Sequence, residues 1–311
     1  MKRTIFIITG LLFLIAASIY LFTPSQINIT QTTINEVSEL NTSRFLLYEK
    51  NWPRWWPGQK SAIDSKLFNY KGTNYHFENS TNSGVTLVIM DAGADLKSQI
   101  IFIVEDNLKV RITWTAQLHS GSNIIKRIEQ YRHAKKVSQD MATILQHFKT
   151  FLENERNVYG FHIRLSKVKD PVMLATSDIV DKYPDMQIID PMIKRLRRQI
   201  KDQNGKETNY PMLNINQVSK NQYQVMVAIP TDKELKPAAN IFVNKMVLGN
   251  ILEADVKGGR GTINDAFNEL RNFSKDYHFT SPAMPFESMV TDRSIEKDTS
   301  KWITKIYYPI Y

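Results

Sequence analysis

The sequence predicts an α+β protein of two domains behind an N-terminal hydrophobic segment. Its 311 residues suffice for about two domains of ordinary size. Two successive patterns indicate the fold class. Strand-like runs lead into one long amphipathic helix that ends near residue 156, and helices and strands then alternate up to residue 311. A content of 42% hydrophobic and 23% charged residues is typical of a globular chain.

The N-terminal hydrophobic segment, residues 5–22, contains no charged side chain. Its length predicts a helix that spans a bilayer; a cleaved signal peptide is the alternative, although its apolar core is usually shorter. Lys2 and Arg3 precede the segment and the next basic residue is Arg44. By the positive-inside rule, we expect residues 1–25 to be a single-pass signal anchor in a bacterial cell membrane, with the bulk of the chain extracytoplasmic.

The first domain is predicted to be an antiparallel sheet followed by a long helix. Between about residues 67 and 118, runs rich in β-branched and aromatic residues are separated by turn signals such as Asn82-Ser83-Gly84. Apolar residues then recur at spacings of three and four, which predicts an amphipathic helix over 132–156. One face of that helix has to pack on the sheet.

A tryptophan-rich turn precedes this sheet. Residues 51–58 read Asn-Trp-Pro-Arg-Trp-Trp-Pro-Gly, and the two prolines predict a stiff turn that presents aromatic surface. Two interpretations stay open: the tryptophans fill the end of a core, or they form the rim of a ligand cavity. Together with the sheet and the helix, this turn resembles the SRPBCC or START-like helix-grip fold of the polyketide-cyclase group across about 26–157. The resemblance implies a curved antiparallel sheet gripping a long C-terminal helix, and a domain over 26–160.

The second domain is predicted to begin after Gly160, a glycine of the kind that ends helices, and to cover 161–311. Periodicity predicts helices over 184–204 and 262–278 and strands over 223–230, 241–243, 252–259 and the last residues before 311. Elements in this order make two similar halves.

This second domain resembles the GyrI-like fold, the effector-binding module also found in AraC-type regulators. The resemblance is carried by Tyr210-Pro211-Met212, Val227-Ala228-Ile229-Pro230, Val256-Lys257-Gly258-Gly259 and the terminal stretch from Pro285-Phe286-Glu287 to Trp302-Ile303-Thr304-Lys305-Ile306-Tyr307-Tyr308-Pro309-Ile310. It implies two helix-plus-sheet units around a pseudo-twofold axis, with an aromatic ligand pocket.

Glu287 is the leading candidate site residue because it is a carboxylate among apolar and aromatic neighbours. Burial of an uncompensated carboxylate is costly. It is therefore an exposed loop acid, an acid satisfied by hydrogen bonds, or an acid reserved for a cationic or reactive ligand. The GyrI-like resemblance implies the last of these, with Tyr210, Trp302 and Tyr307 as ligand-binding walls. Met289 departs from the family pattern, which has a tyrosine there, and this weakens a hydrolase interpretation.

Composition and motifs narrow the function further. The chain has no cysteine, which excludes disulfides, thiol nucleophiles and cysteine–metal sites. We find no metal-ligand spacing, phosphate loop or helix-turn-helix, so we expect no metal, no cofactor and no nucleic-acid partner, despite a net charge of +9. The predicted function is a membrane-anchored binding protein for hydrophobic or cationic small molecules. The alternative is a cofactor-independent hydrolase with Glu287 as base.

Overall fold

The computed structural model describes residues 26–91, 94–119, 123–169 and 172–311, and before residue 26 only positions 8, 10, 11, 14 and 18. The chain divides into two compact units, Met1–Asn154 and Glu155–Tyr311. Both units mix helices with one antiparallel sheet, so the α+β class is confirmed.

The predicted membrane anchor, residues 5–22, lies largely outside the described residues. Within the part of the chain that is described, no helix is both long and apolar enough to cross a membrane. The longest described helix, Ile124–Leu152, has 29 residues but carries charged side chains along its length. This finding overturns the predicted cell-membrane location, and we correct it here.

The first unit is built on a seven-stranded antiparallel sheet. Its strands are β1 (Gln26–Asn35), β2 (Gln59–Lys60), β3 (Leu67–Tyr70), β4 (Thr73–Ser80), β5 (Gly84–Asp91), β6 (Ala94–Asp106) and β7 (Lys109–His119). Its helices are α1 (Glu39–Leu46) and α2 (Ile124–Leu152), with a 3₁₀ turn at Glu49–Arg54. The strand order is β1-β7-β6-β5-β4-β3-β2. From β2 to β7, strands that are consecutive in sequence therefore pair with each other, and β1 pairs with β7.

The long helix α2 covers the buried face of this sheet. Along β7, buried residues alternate with more exposed ones, as expected for a strand with one face in the core. The apolar stripe of α2, including Val137 and Ile144, is fully buried. The helix begins at Ile124, earlier than the predicted 132, because the Asn123 side chain caps it by accepting from the Ile125 N–H at 2.9 Å.

The tryptophan-rich turn belongs to the core of the first unit. Trp52, Trp55 and Trp56 are all buried. The rings of Trp52 and Trp56 stack with centroids 5.5 Å apart, and Trp55 packs on Phe148 of α2 at 4.3 Å. Of the two interpretations left open, the structure favours the one in which these side chains fill the core.

The second unit contains an eight-stranded antiparallel sheet. Its strands are β8 (Ile163–Lys167), β9 (Val172–Val180), β10 (Met212–Ser219), β11 (Gln222–Pro230), β12 (Phe242–Lys245), β13 (Asn250–Lys257), β14 (Phe286–Met289) and β15 (Ile303–Ile310). Its helices are α3 (Glu155–Tyr159), α4 (Met186–Asp202) and α5 (Arg260–Asp276), with a 3₁₀ turn at Thr299–Lys301. The strand order is β12-β9-β11-β10-β14-β15-β13-β8.

The short helix α3 packs within this second unit. The Tyr159 hydroxyl donates to the Asp276 carboxylate at 2.8 Å, and the Tyr159 ring packs on Phe273 at 5.2 Å. Gly160, with a φ of 76°, ends this short helix in the left-handed conformation. The sequence predicts this glycine as the end of the long helix, but that helix already ends at Leu152. The unit therefore begins at Glu155, a few residues before the predicted start at 161.

Two similar halves make up the eight-stranded sheet, as predicted. The first half runs β9-α4-β10-β11 and the second runs β13-α5-β14-β15. Across the sheet, the first half has the order β9-β11-β10 when counted inward from the β12 edge. The second half has the order β13-β15-β14 when counted inward from the β8 edge, so equivalent strands of the two halves occupy equivalent places. The halves meet where β10 pairs with β14, with Leu213 opposite Glu287. Glu287 therefore lies at the centre of the sheet.

The two faces of this sheet bury different clusters. Leu213 and Met289 belong to a core cluster with α4 residues such as Leu196. Met212, one residue from Leu213, and Phe286, three residues from Met289, belong to a separate cluster without helical residues. Because successive side chains of a strand point to opposite faces, Glu287 lies on the α4 face and Phe286 on the other face.

Candidate ligand-binding site

A cavity of about 930 Å³ lies in the second unit, on the sheet face opposite α4. Its floor is formed by side chains of the central strands, among them Met212, Met226 and Phe286. Five methionines contribute to the lining: Met173, Met212, Met226, Met246 and Met284. Unbranched, polarisable methionine side chains adapt to ligands of different shape.

Two connecting segments of the chain form side walls of this cavity. Residues 244–250, which join the two halves, line one side, and residues 282–284 before β14 line another. The second connection is held by β10, because Asn214 donates its side-chain N–H to the Pro285 carbonyl at 2.6 Å. In the first, Val247 and Leu248 remain 73% and 70% exposed. Large apolar side chains exposed beside an apolar cavity are typical of a binding site.

The charged side chains in the described lining are lysines. Lys167 and Lys245 contribute to it, and no aspartate or glutamate does. Lys245 is paired with Glu234 at 2.7 Å on the exposed surface. Asn214, Asn244 and Asn250, with amide side chains, and Tyr311, with a phenolic hydroxyl, are the other polar residues of the lining. The cavity therefore offers apolar contact and a few polar groups, and no described lining residue has a carboxylate side chain.

Glu287 is buried on the opposite face and bound by two arginines. It is 1% exposed. Its Oε1 accepts from Arg260 Nη2 at 2.9 Å and from Arg293 Nη1 at 3.2 Å, and its Oε2 lies 3.5 Å from Arg293 Nη2. Arg293 also donates to Thr304 Oγ1 at 2.8 Å. Among the interpretations of Glu287, the structure favours the acid satisfied by its protein partners.

Aromatic rings complete the surroundings of this arginine–glutamate cluster. The Arg293 guanidinium lies 4.6 Å from the centroid of Trp302, and that of Arg260 lies 5.5 Å from the ring of Tyr183. Such contacts stabilise a guanidinium by cation–π attraction. Burial raises the pKa of Tyr183, and the charge of Arg260 acts against it. The aromatic surface near Glu287 is thus already in contact with arginines.

The four residues predicted for the site do not converge on one place. Trp302 joins Glu287 through Arg293, and its indole N–H donates to the Glu296 carbonyl at 3.0 Å. Tyr307 stacks on Phe286 at 5.0 Å, which places it on the cavity face of the sheet. Tyr210 precedes β10 with 46% of its surface exposed. The structure therefore brings together Glu287 and Trp302, and separates them from Tyr307.

Sequence reasoning missed the methionine-rich cavity. Its residues come from several strands and two connecting segments, and no short stretch of the sequence contains enough of them to predict a cavity. The signal in the sequence was weak: methionines at 173, 212, 226, 246 and 284 stand in or next to predicted or actual strands. Only strand pairing brings these positions to one face.

No known protein family and no curated protein matches this sequence. Among solved structures, the EcmrR C-terminal domain is similar at 15% identity and a TM-score of 0.42, over 49% of this chain and 98% of that one. SAV2435 bound to tetraphenylphosphonium is similar at 15% identity and a TM-score of 0.34, over 48% of this chain and 94% of that one. The Aha1 dimer from Colwellia psychrerythraea is similar at 15% identity and a TM-score of 0.31, over 41% of this chain and 96% of that one. These similarities are remote, so the function has to be inferred from the site.

Proposed function

We propose that the second unit binds a small apolar molecule without positive charge in the methionine-rich cavity. The observation that carries this proposal is the cavity itself, whose volume of about 930 Å³ lies within the range of small-molecule sites, about 300–1,000 Å³. Its lining is mainly apolar and its charged side chains are lysines. A neutral apolar ligand, or one with an anionic group near Lys167, suits this lining.

A cationic ligand at Glu287 is less well supported. The carboxylate has two arginine partners, so the three side chains together carry one positive charge. A cation would have to displace an arginine whose side chain is 1% exposed, Arg293. Displacing one partner of a buried ion pair is costly. The ligand-binding role predicted for Glu287, Tyr210, Trp302 and Tyr307 stays a prediction.

The hydrolase alternative has no observation of its own in its favour. A general base must reach the proton that it abstracts, directly or through one water. Both carboxylate oxygens of Glu287 face Arg293, and Oε1 also accepts from Arg260. Enzymatic activity with Glu287 as base stays a prediction.

We also propose the finer fold assignments. A helix-grip fold for the first unit is supported by the seven-stranded antiparallel sheet and the 29-residue helix that follows it. A GyrI-like fold for the second unit is supported by the repeated β-α-β-β halves that meet at β10 and β14.

The ligand proposal is tested by titrating the full chain with two probes. N-phenyl-1-naphthylamine is neutral and tetraphenylphosphonium is a cation of comparable apolar character. We expect the neutral probe to bind, with fluorescence enhancement, and to bind at least about tenfold tighter than the cation. Met226→Glu, which puts a carboxylate into the cavity lining, should weaken the neutral probe by at least about tenfold because the charge loses its hydration there.

Val218→Glu is the matched control. It makes the same kind of change at a position that is 50% exposed on the neighbouring strand β10, and it should leave probe affinity unchanged. Equal weakening by both variants, or tight binding of the cation that survives Met226→Glu, would place the site elsewhere and contradict the proposal.

A further inference from the structure

The sulphur atoms of the methionine-rich cavity are potential metal ligands. Met284 is set apart from the others, because its sulphur already accepts a hydrogen bond from Asn216 Nδ2 at 2.7 Å. The other four methionines of the lining are Met173, Met212, Met226 and Met246. A thioether sulphur is a weak hydrogen-bond acceptor but a good ligand for soft metal ions. What decides whether the four form a site is their arrangement around the cavity.

Three of these methionines surround Ala228. Met212 lies directly opposite Ala228 in the β10–β11 ladder. Met226 precedes Ala228 by two residues on β11, so both side chains point to the same face of the sheet. Met173 lies diagonal to Ala228, because Ala175 is the residue opposite Ala228 in the β9–β11 ladder. Neighbours of these kinds have Cβ atoms about 5–8 Å apart, a distance over which long side chains still interact.

The floor between these methionines is formed by alanines. Ala175 and Ala228 belong with Met173 and Met212 to one buried cluster. Met246, in the segment that follows β12, packs against this cluster. An alanine side chain ends at its Cβ atom, so the longer methionine side chains around it border the space above it. Thioethers from three adjacent strands and one connecting segment therefore face the same part of the cavity floor.

The described lining is suited to a soft ion alone. It contains no histidine, cysteine, aspartate or glutamate. Zn²⁺ is bound by imidazole, thiolate and carboxylate groups, and Mg²⁺ and Ca²⁺ require oxygen ligands. Thioethers select Cu⁺ among the biological metal ions. The ligand set therefore favours a soft monovalent ion over the common divalent ions.

We propose that Met173, Met212, Met226 and Met246 bind one Cu⁺ ion through their sulphur atoms at the floor of this cavity. The metal ion has vacant orbitals that accept the sulphur lone pairs, and an organic cation such as tetraphenylphosphonium has none. Coordination bonds therefore replace the hydration that Cu⁺ loses in an apolar cavity, whereas the organic cation gains no such bond. This metal site goes beyond the apolar ligand proposed above and does not depend on it.

The metal site is tested with Ag⁺, a soft monovalent ion that air does not oxidise. The full chain is titrated in nitrate buffer without chloride or thiols, and binding is followed by calorimetry and by the ¹³C-methyl signals of its eleven methionines. Single Met→Leu changes assign the signals. We expect Ag⁺ to shift the signals of the four site methionines saturably and to leave those of Met192 and Met289 in place. Zn²⁺ should shift none of the four.

Met173→Leu/Met212→Leu removes two sulphur atoms and nearly conserves side-chain volume. It should weaken Ag⁺ binding by at least about tenfold, because two of four soft ligands are lost. N-phenyl-1-naphthylamine affinity should stay within about threefold of the wild type, since the cavity remains apolar. Met192→Leu/Met289→Leu is the matched control, buried on the α4 face of the same sheet, and should leave Ag⁺ affinity within about twofold.

Met246→Leu is a second site variant, at a position outside the strands, and should weaken Ag⁺ binding by at least about threefold. The two proposals fail in different ways. Probe binding without Ag⁺ binding overturns the metal site alone, and Ag⁺ binding without probe binding overturns the proposed function alone. Unshifted site signals, equal losses in the site and control double variants, or wild-type Ag⁺ affinity in Met246→Leu would also overturn the metal site.

Discussion

Glu287 illustrates how partners decide the role of a residue. The sequence marks it as a carboxylate among apolar neighbours, and the structure pairs it with Arg260, 27 positions away, and Arg293, six positions away. A buried ion pair of this kind contributes less to stability than its short distances suggest, but removing one partner leaves an uncompensated buried charge. Glu287 is therefore sensitive to substitution whether or not a ligand ever contacts it.

Replacing Glu287 by Gln is expected to destabilise the protein by about 3 kcal/mol, because Arg293 would be left buried with an uncompensated charge. The free energy of unfolding is measured by urea denaturation of both proteins. The double variant Glu287→Met/Arg293→Met removes both charges and should recover most of the loss.

The double variant also separates stability from binding at this residue. If Glu287→Gln keeps the wild-type free energy of unfolding, Glu287 does not compensate the buried charge of Arg293, and the stability prediction is wrong. If the well-folded double variant loses affinity for a hydrophobic cation, Glu287 is a ligand residue after all, and the prediction made from its resemblance is confirmed.

At the scale of elements, the tryptophan-rich turn is held by packing and by hydrogen bonds from its indoles. Trp55 donates to the Phe45 carbonyl at 2.9 Å and packs on Phe148. The turn thereby joins α1 to α2 on one side of the sheet. Its prolines fix the backbone so that the three rings stay together.

Trp55→Phe should lower the free energy of unfolding by about 2–3 kcal/mol, since it leaves a void and an unpaired carbonyl. Urea denaturation followed by far-ultraviolet circular dichroism measures the change. Tyr48→Phe, at a side chain 54% exposed next to the same turn, is the control and should stay within about 0.5 kcal/mol of the wild type. A loss below about 0.5 kcal/mol for Trp55→Phe would instead favour the interpretation in which the tryptophans form the rim of a ligand cavity.

Element prediction from sequence succeeded where periodicity was strong and failed where it was not. The helices α4 and α5 and the strands β4 to β7 lie close to their predicted positions because amphipathic repeats are local signals. Helix α2 was predicted over 132–156 but extends from Ile124 to Leu152. Strand β9 was not predicted. Four successive residues of it, Met173 to Thr176, are buried, so the alternation that identifies a strand is missing.

At the scale of the whole molecule, the chain has a net charge of +9, and several of its basic side chains are paired with carboxylates. Arg164 binds Glu253 and Asp255, and Lys305 also binds Glu253. Burial raises the pKa of Glu253, but hydrogen bonds from Lys305 and Arg164 outweigh it and hold that pKa below its usual value. Acidic partners of this kind reduce the positive surface that a phosphate backbone would meet.

We therefore expect only weak, sequence-independent binding to duplex DNA. Fluorescence anisotropy with two 30-base-pair duplexes of unrelated sequence should give dissociation constants above about 1 μM near physiological salt, and the affinities should fall steeply with added salt. Equal affinity for the two duplexes is the control for specificity. Saturable binding to one of them at nanomolar concentration would contradict the expectation that nucleic acid is not a partner.

The sequence by itself determined the α+β class, the long helix and the repeated halves, because the period of apolar residues along the chain records which face of each element is buried. Only the tertiary structure decided what the candidate residues meet. It put Glu287 and Tyr307 on opposite faces of one sheet, paired Glu287 with arginines, and placed five methionines around one cavity. These arrangements depend on strand pairing and register between distant segments, which local periodicity does not encode.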